Sequence, residues 1–408
     1  MAKRKRVLSG MRPTGRLHLG HYFGALQNWL KLQEEYECFF FVADWHALTT
    51  HYEDTSSISE NTLQVAMDWL SVGLDPAKST LFVQSSILEH AELYVLLSMI
   101  TPLSWLERVP TYKEQIENLK DRDLGTYGFL GYPLLQAADI VIYDADFVPV
   151  GEDQVPHVEL TREIVRRFNL HFGMRFPERE VRANKKLRER LLSELFVAAE
   201  SAKDRFRGDL DSGLIAELKQ QTELLWRSEG GVGGAGRLDF LTRMAEFGKP
   251  FIDPILHEPG HLLTETPRLP GLDGRRMAKS YGNAIWLSDP PDEIRKKVRN
   301  MITDPQRQRR TDPGRPEVCP VFAWHKLFSP PETIAWSDHG CRTAGIGCIE
   351  CKATMADNLV KWIEPVQARR KEFEANPQKV WDILGAGDKK AHAAARRTMK
   401  RVRTAIFK

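Results

Sequence analysis

A short apolar strand that runs into a glycine-punctuated turn and then a helix constrains this chain more than any other feature. The segment is Arg6-Val7-Leu8, followed by Gly10-Met-Arg-Pro-Thr-Gly-Arg-Leu-His18-Leu-Gly20-His21. A strand–turn–helix of this kind aims backbone N–H groups and the positive end of a helix dipole at one spot, which suits a phosphate. Gly15 and Gly20 let a nucleotide come close to the backbone. His18 and His21 stand three apart and so share a helix face. Two imidazoles there can hydrogen-bond a pentavalent α-phosphate and offset charge that develops in a transition state. A lone His-x-x-His is more often two surface histidines beside a turn; the full arrangement is much more specific.

The first half of the chain repeats this alternation. Cys38–Val42, Thr80–Val83 and Phe147–Val150 are short, continuous apolar runs, and amphipathic stretches lie around residues 20–36, 56–72, 90–100 and 133–143. That pattern predicts an α/β fold of the Rossmann type, a parallel sheet covered on both faces, with ligands beyond the carboxyl ends of its strands. At 408 residues the chain is too long for one ordinary core. The texture divides it into a catalytic α/β part at 1–181, a mostly helical insertion at 182–250, a return to the α/β part at 251–288, and an α-helical domain at 289–408. Within the insertion, 184–205 and 211–227 favour helix, and the glycines from Gly230 to Gly236 make a flexible break. In the last domain, 353–375 and 388–406 are expected to be long helices.

Composition narrows the class. Hydrophobic residues are 42% and charged residues 28% of the chain, as in soluble globular proteins. No apolar run is long enough for a bilayer. The basic start, Met1 to Arg6, lacks the apolar segment of a secretory signal, so a cytoplasmic protein that does not engage a membrane is expected. A net charge of +3 does not by itself announce a nucleic acid. The stretch from Lys389 to Lys408, however, carries eight basic residues and no acid, and such a helix can track phosphates or simply be solvated. Four of the five cysteines form Cys319-x21-Cys341-x6-Cys348-x2-Cys351. Four thiolates suit zinc or an iron–sulfur cluster. One Cys-x-x-Cys pair with two singles departs from the paired hooks of zinc ribbons and favours iron–sulfur. Cys38, in an apolar strand, is expected to be core.

Three further segments carry chemistry. Gly271-Leu-Asp-Gly-Arg275-Arg276-Met277-Ala278-Lys279-Ser280 is a glycine-bounded basic loop that can close over a triphosphate. Tyr132, Gln136 and Asp139 fall on one helix face, where a single carboxylate in an apolar pocket can accept a donor such as an indole N–H. Gly151-Glu152-Asp153-Gln154 follows the last of the four apolar runs.

Together these segments resemble the class I aminoacyl-tRNA synthetases of the tryptophanyl and tyrosyl branch. The His18–His21 segment resembles their HIGH signature, and Arg276 to Ser280 resembles KMSKS, with Arg276 in place of the first lysine and Ala278 in place of a serine. The run from Val148 to Arg162 is similar to the tryptophanyl signature. The likeness covers about 6–180 and 253–408. It implies ATP with Mg2+ as substrate, L-tryptophan and its tRNA as partners, a homodimer, and a helical domain that reads the anticodon. Carried residue by residue, it implies catalytic roles for His18, His21, Arg276 and Lys279. ATP would be bound by Arg12, Pro13, Thr14, Gly20, His21, Gly151, Glu152, Asp153, Arg276, Met277, Ala278, Lys279 and Ser280. Tryptophan would be bound by Gly10, Tyr132, Gln136, Asp139 and Gln154. Cys319, Cys341, Cys348 and Cys351 match a subset of the tryptophanyl enzymes that hold a [4Fe–4S] cluster, with Zn2+ as the alternative. Gln136 is reminiscent of tyrosyl enzymes and keeps tyrosine open as the amino acid. Gln115, where relatives place a phosphate-binding lysine, joins Arg276 and Ala278 in permitting an inactive paralogue. A small-molecule nucleotidyltransferase shares the double-histidine motif but would not need the Asp153-Gln154 segment.

Overall fold

The computed structural model describes residues 4–110, 112, 125–195, 212–228, 235–248, 250–263 and 269–407. Gln115 and Lys113, and the glycines from Gly230 to Gly234, lie outside the described residues. Five strands form one parallel sheet: β1 (Arg6–Met11), β2 (Glu37–Val42), β3 (Ser79–Val83), β4 (Phe147–Val150) and β5 (Gly260–Leu263), in the order β3-β2-β1-β4-β5. Continuous apolar strands form because helices cover both faces, and β2 and β3 are almost wholly buried. The order reverses between β1 and β4, so the crevice beyond their carboxyl ends is the place where such a sheet takes a ligand. The strand β5 had no distinct signal in the sequence, because its four residues are only partly covered.

Helices of eight residues or more fill out the chain. The first, α1, runs through Leu19–His21, a π-helical turn at Tyr22–Leu26, and Gln27–Glu35. Next come α2 (Asp44–His51), α3 (Ile58–Val72), α4 (Glu89–Ser98), α5 (Tyr132–Val141) and α6 (Val155–Phe172). The helices α7 (Lys185–Leu195), α8 (Ser212–Ser228) and α9 (Ala235–Arg243) follow, then α10 (Pro291–Arg299), α11 (Pro320–Phe328), α12 (Pro331–Arg342), α13 (Cys348–Ala375) and α14 (Pro377–Ile406). A separate apolar cluster of Leu187, Leu191, Ile215, Leu218, Trp226, Phe240 and Met244 gives α7 to α9 a core of their own. By contrast, Met355, Leu359 and Ile363 of α13 share one continuous core with Val7, Phe40 and Trp69 of the sheet layer.

The stretch before Cys351 holds α11 and α12, each with proline in its first turn, where the missing N–H costs nothing. One expectation needs correction. The last helix starts eleven residues earlier than 388, at Pro377, and runs through Gly385 and Gly387. Gly387 is there for packing. A Cβ on it would lie 1.7 Å from the Leu81 carbonyl oxygen, so α14 presses on edge strand β3 closer than any other residue allows. Asp388 then accepts the outward N–H of Val83 at 3.0 Å, which pairs a sheet edge that would otherwise be open.

Candidate active site

Gly10 is the penultimate residue of β1, where a Cβ would strike the Phe41 ring at 2.5 Å. The turn beyond it holds Gly15 at φ +107°, a left-handed conformation that suits glycine. His18 and His21 then meet with ring centroids 3.8 Å apart, and His21 Nδ1 accepts the His18 backbone N–H at 3.2 Å. Burial, then the charges of Lys279 and Arg276, lowers His18 to about 4. Burial, then His18, Lys279 and Arg276, lowers His21 to about 3. Both rings are therefore neutral near pH 7 and act as hydrogen-bonding groups, not as cations. His18 Nδ1 is buried and has no partner among the described residues.

The second motif is docked on the first. Leu19 N–H donates to the Ile285 carbonyl at 3.0 Å, and Leu287 N–H donates to the Leu17 carbonyl at 2.9 Å. Lys279 Nζ donates to the Thr14 carbonyl and stands 5.3 Å from the Trp286 ring centre. Burial lowers its pKa. Met277 is buried, with its Cβ 3.4 Å from where a Cβ on Gly20 would be. Arg276 and Ser280 are exposed. Asn283 ties this loop together: its Nδ2 donates to Asp273 Oδ1 at 2.6 Å and to the Arg276 carbonyl at 3.1 Å, and its Oδ1 accepts the Ala278 N–H at 2.9 Å. Of the same turn as Gly15, Arg12 and Thr14 are exposed and Pro13 is buried.

Between β1 and β4 lies a cavity of about 260 Å³. Leu8, Phe41, Val148 and Val150 give it apolar walls, and Gly10, Gly151, Gln136, Asp139 and Gln154 also line it. Glu152 and Asp153 are exposed at its β4 side, and Gln154 Nε2 donates to Asp153 Oδ2 at 3.0 Å. Tyr132 is the exception among the expected residues, because it does not line the cavity. It is the first residue of α5, and its ring packs 5.6 Å from both Phe129 and His157.

Asp139 is 1% exposed. Its carboxylate receives Gln84 Nε2 at 2.8 and 3.0 Å, His90 Nδ1 at 2.6 Å and His46 Nε2 at 2.8 Å. Burial pushes its pKa up, but the His46 and His90 interactions outweigh this and hold it below the usual carboxylate range. Sequence reasoning missed Gln84, His90, His46 and Asn283. Gln84, His90 and His46 stand far from Asp139 in the chain, and no local spacing marks them, whereas Asn283 lies within ten residues of the groups it ties.

The four cysteines gather at helix ends. Cys319 precedes α11, Cys341 lies in the last turn of α12, and Cys348 and Cys351 open α13. Cys351 Sγ is 3.3 Å from Ser337 Oγ and 3.4 Å from His325 Nε2; Arg307 reaches Cys341 Sγ at 3.6 Å. Burial, together with the charge of the other three cysteines, pushes the Cys351 thiol up to about 11. Among the described residues no group of three or more His, Cys, Asp or Glu is arranged to hold a metal ion.

A family model described as tRNA synthetases class I (W and Y) matches residues 1–195 and 239–363. The chain belongs to this family. The synthetase is 51% identical over 407 residues to a tryptophan–tRNA ligase of Ralstonia nicotianae, covering 98% of each chain. It is 43% identical to the tryptophan–tRNA ligase of Thermotoga maritima, again over 98% of each. Among solved structures, a tryptophanyl-tRNA synthetase from Campylobacter jejuni complexed with ADP and tryptophan superposes with a TM-score of 0.72 at 26% identity. That match covers 99% of this chain and 100% of the other. The parallel sheet, apart from its fifth strand, and the helical C-terminal region of the synthetase are those expected from its sequence. Among the described residues no helix is long and apolar enough to cross a membrane.

Proposed function

We infer that the synthetase is a tryptophan–tRNA ligase. Tryptophan's carboxylate attacks the α-phosphate of Mg2+-bound ATP, giving tryptophanyl-adenylate and pyrophosphate, and the 3′-terminal ribose of the tRNA then takes the tryptophanyl group. The observation that carries the reading is the cavity at the β1/β4 seam, an apolar-walled space with one buried, ionised carboxylate beside the docked His18–Lys279 turn. Asp139 would accept the indole N–H, and Gln154 would orient the α-amino group. Asp153 would accept the ribose hydroxyls. The neutral His18 and His21 would hydrogen-bond the α-phosphate, and Lys279 with Arg276 would neutralise the leaving pyrophosphate. Positioning and electrostatics suffice, with no covalent enzyme intermediate. Amino-acid-dependent ATP–pyrophosphate exchange tests this. Exchange with tryptophan and none with tyrosine is expected; exchange with tyrosine alone would mean that Gln136, which lines the same cavity, sets the choice.

Four finer assignments complete the proposal. The C-terminal helical region beyond residue 289 reads the anticodon, and the helices within 182–250 are an insertion with its own core. Cys319, Cys341, Cys348 and Cys351 hold an iron–sulfur cluster. The support is the donor set: four half-buried cysteines at neighbouring helix ends, which as thiolates would repel one another and which cluster iron would neutralise, with Arg307 at Cys341 Sγ and His325 at Cys351 Sγ. The cluster would supply structure, not redox turnover. Anaerobically purified protein should absorb broadly in the visible and lose that band in Cys348→Ser; a colourless protein with one bound zinc would replace the assignment. The synthetase also pairs with a second copy through the exposed apolar face around α4, where Leu88 is 70%, Val95 48% and Met99 75% exposed. Met99→Asp should turn a dimer into a monomer in sedimentation equilibrium, and a monomeric parent would end this reading.

A further inference from the structure

The carboxylate of Asp139 offers about four lone-pair sites, and all four are in use. Oδ1 accepts from Gln84 Nε2 and His90 Nδ1; Oδ2 accepts from Gln84 Nε2 and His46 Nε2. The donors are not equivalent. Gln84 and His90 are fully buried, whereas the His46 side chain keeps 12% exposure. His90 is also held from behind, because its Nε2 lies 2.6 Å from the Tyr143 hydroxyl. Tyr143 is itself fully buried, and burial followed by the Asp139 charge keeps its phenol protonated. The carboxylate 2.6 Å from Nδ1 calls for a proton on that nitrogen, so in the neutral ring Nε2 is the acceptor and the Tyr143 phenol donates to it. The other tautomer would set a ring lone pair against a carboxylate at 2.6 Å.

We propose that Tyr143, His90 and Gln84 are positioning residues for amino-acid choice, which lock Asp139 as an acceptor-only carboxylate, while His46 is a stand-in donor that the substrate's indole N–H replaces. The proposal rests on Asp139 being the group that reads the indole nitrogen. It explains how a charged carboxylate can line an apolar cavity without an unmet hydrogen bond before the amino acid arrives. It also explains the choice itself. A ligand of the same shape that lacks the N–H displaces His46 and leaves one carboxylate site empty, which is costly in a buried setting. Gln84 and His90 cannot take the place of the lost donor, since both are already committed to Asp139.

The test compares tryptophan with its benzothiophene isostere, in which sulfur replaces the indole N–H, by equilibrium dialysis of each. The parent should prefer tryptophan by about tenfold or more. Tyr143→Phe releases the His90 tautomer, and Gln84→Met removes the donor shared by both oxygens. Each should shrink the preference by about tenfold and leave the isostere's Kd within about twofold, because the cavity's shape is kept. His46→Leu should keep the preference. A merely structural role would weaken both ligands alike in Tyr143→Phe and Gln84→Met, and that result overturns the proposal. So does a preference lost in His46→Leu and kept in Tyr143→Phe, which would make His46 the holder. If the parent shows no preference while still exchanging pyrophosphate with tryptophan, it is the assignment of Asp139 to the indole that fails.

Discussion

Lys279→Ala should lower kcat for tryptophan-dependent exchange by ~10²–10³-fold, the usual scale for losing one preorganised charge or donor from a transition state. The tryptophan KM should hardly move, because the cavity is lined by β1, β4, α1 and α5 and not by this loop. The reason lies in where Lys279 is held. Its ammonium rests on the Thr14 carbonyl, and a Cβ on Gly15 would meet it at 2.8 Å. It therefore stands over the turn between β1 and α1, where ATP phosphate is proposed to bind. Arg276 is exposed and shares the loop, so Arg276→Ala should cost less. Lys279→Arg should recover part of the rate, since it keeps the charge but not the compact ammonium. A fall of less than about threefold in stopped-flow or steady-state exchange would show that the loop's cation is not used in adenylate formation.

The second large effect is on stability. Arg370 of α13 is 2% exposed and pairs with the fully buried Asp68 of α3. It also donates to Gln64, and its Nε reaches Glu374 at 2.9 Å. The other oxygen of Asp68 accepts the Leu17 N–H at 2.7 Å, one residue before His18. Burial pushes the Asp68 carboxyl up to about 6, against the pull of Arg370 and Leu17. Arg370→Ala strands this carboxylate and should cost about 3–5 kcal/mol in urea denaturation. The double change Asp68→Leu with Arg370→Met should recover most of that, because removing a buried pair together is often near neutral. It would still leave the Leu17 N–H unpaired, at about 1–3 kcal/mol. A single variant within about 1 kcal/mol of the parent would mean that water or another group reaches Asp68.

The local parts of this molecule were legible in its sequence because they rest on local rules. Apolar runs such as Cys38–Val42 mark doubly covered strands, and the glycines and histidines of 10–21 mark a strand–turn–helix. Asp139 and Gln136 stand on one helix turn and do reach one cavity. Tyr132, at the same spacing, does not, because its place at the start of α5 gives its ring different neighbours. Gly385 and Gly387 lie inside α14, and close contact of Gly387 with β3 accounts for one of them. The helices α11 and α12 were hidden by prolines that sit where a helix tolerates them.

What the sequence determined alone is the strand–helix alternation that carries four of the five strands, the two motifs around His18–His21 and Lys279, and the identity of the carboxylate in the cavity. Only the tertiary structure decided what surrounds those groups. Burial makes His18 and His21 neutral, Asn283 ties the basic loop, and Gln84, His90, Tyr143 and His46 complete Asp139. The hydrogen bonds around Asp139 join residues 49 to 93 apart in the chain, and Lys279 and Thr14 are 265 apart. A hydrogen bond and a desolvation penalty both depend on distance in space. Separation along a chain carries neither until the sheet brings its carboxyl ends together.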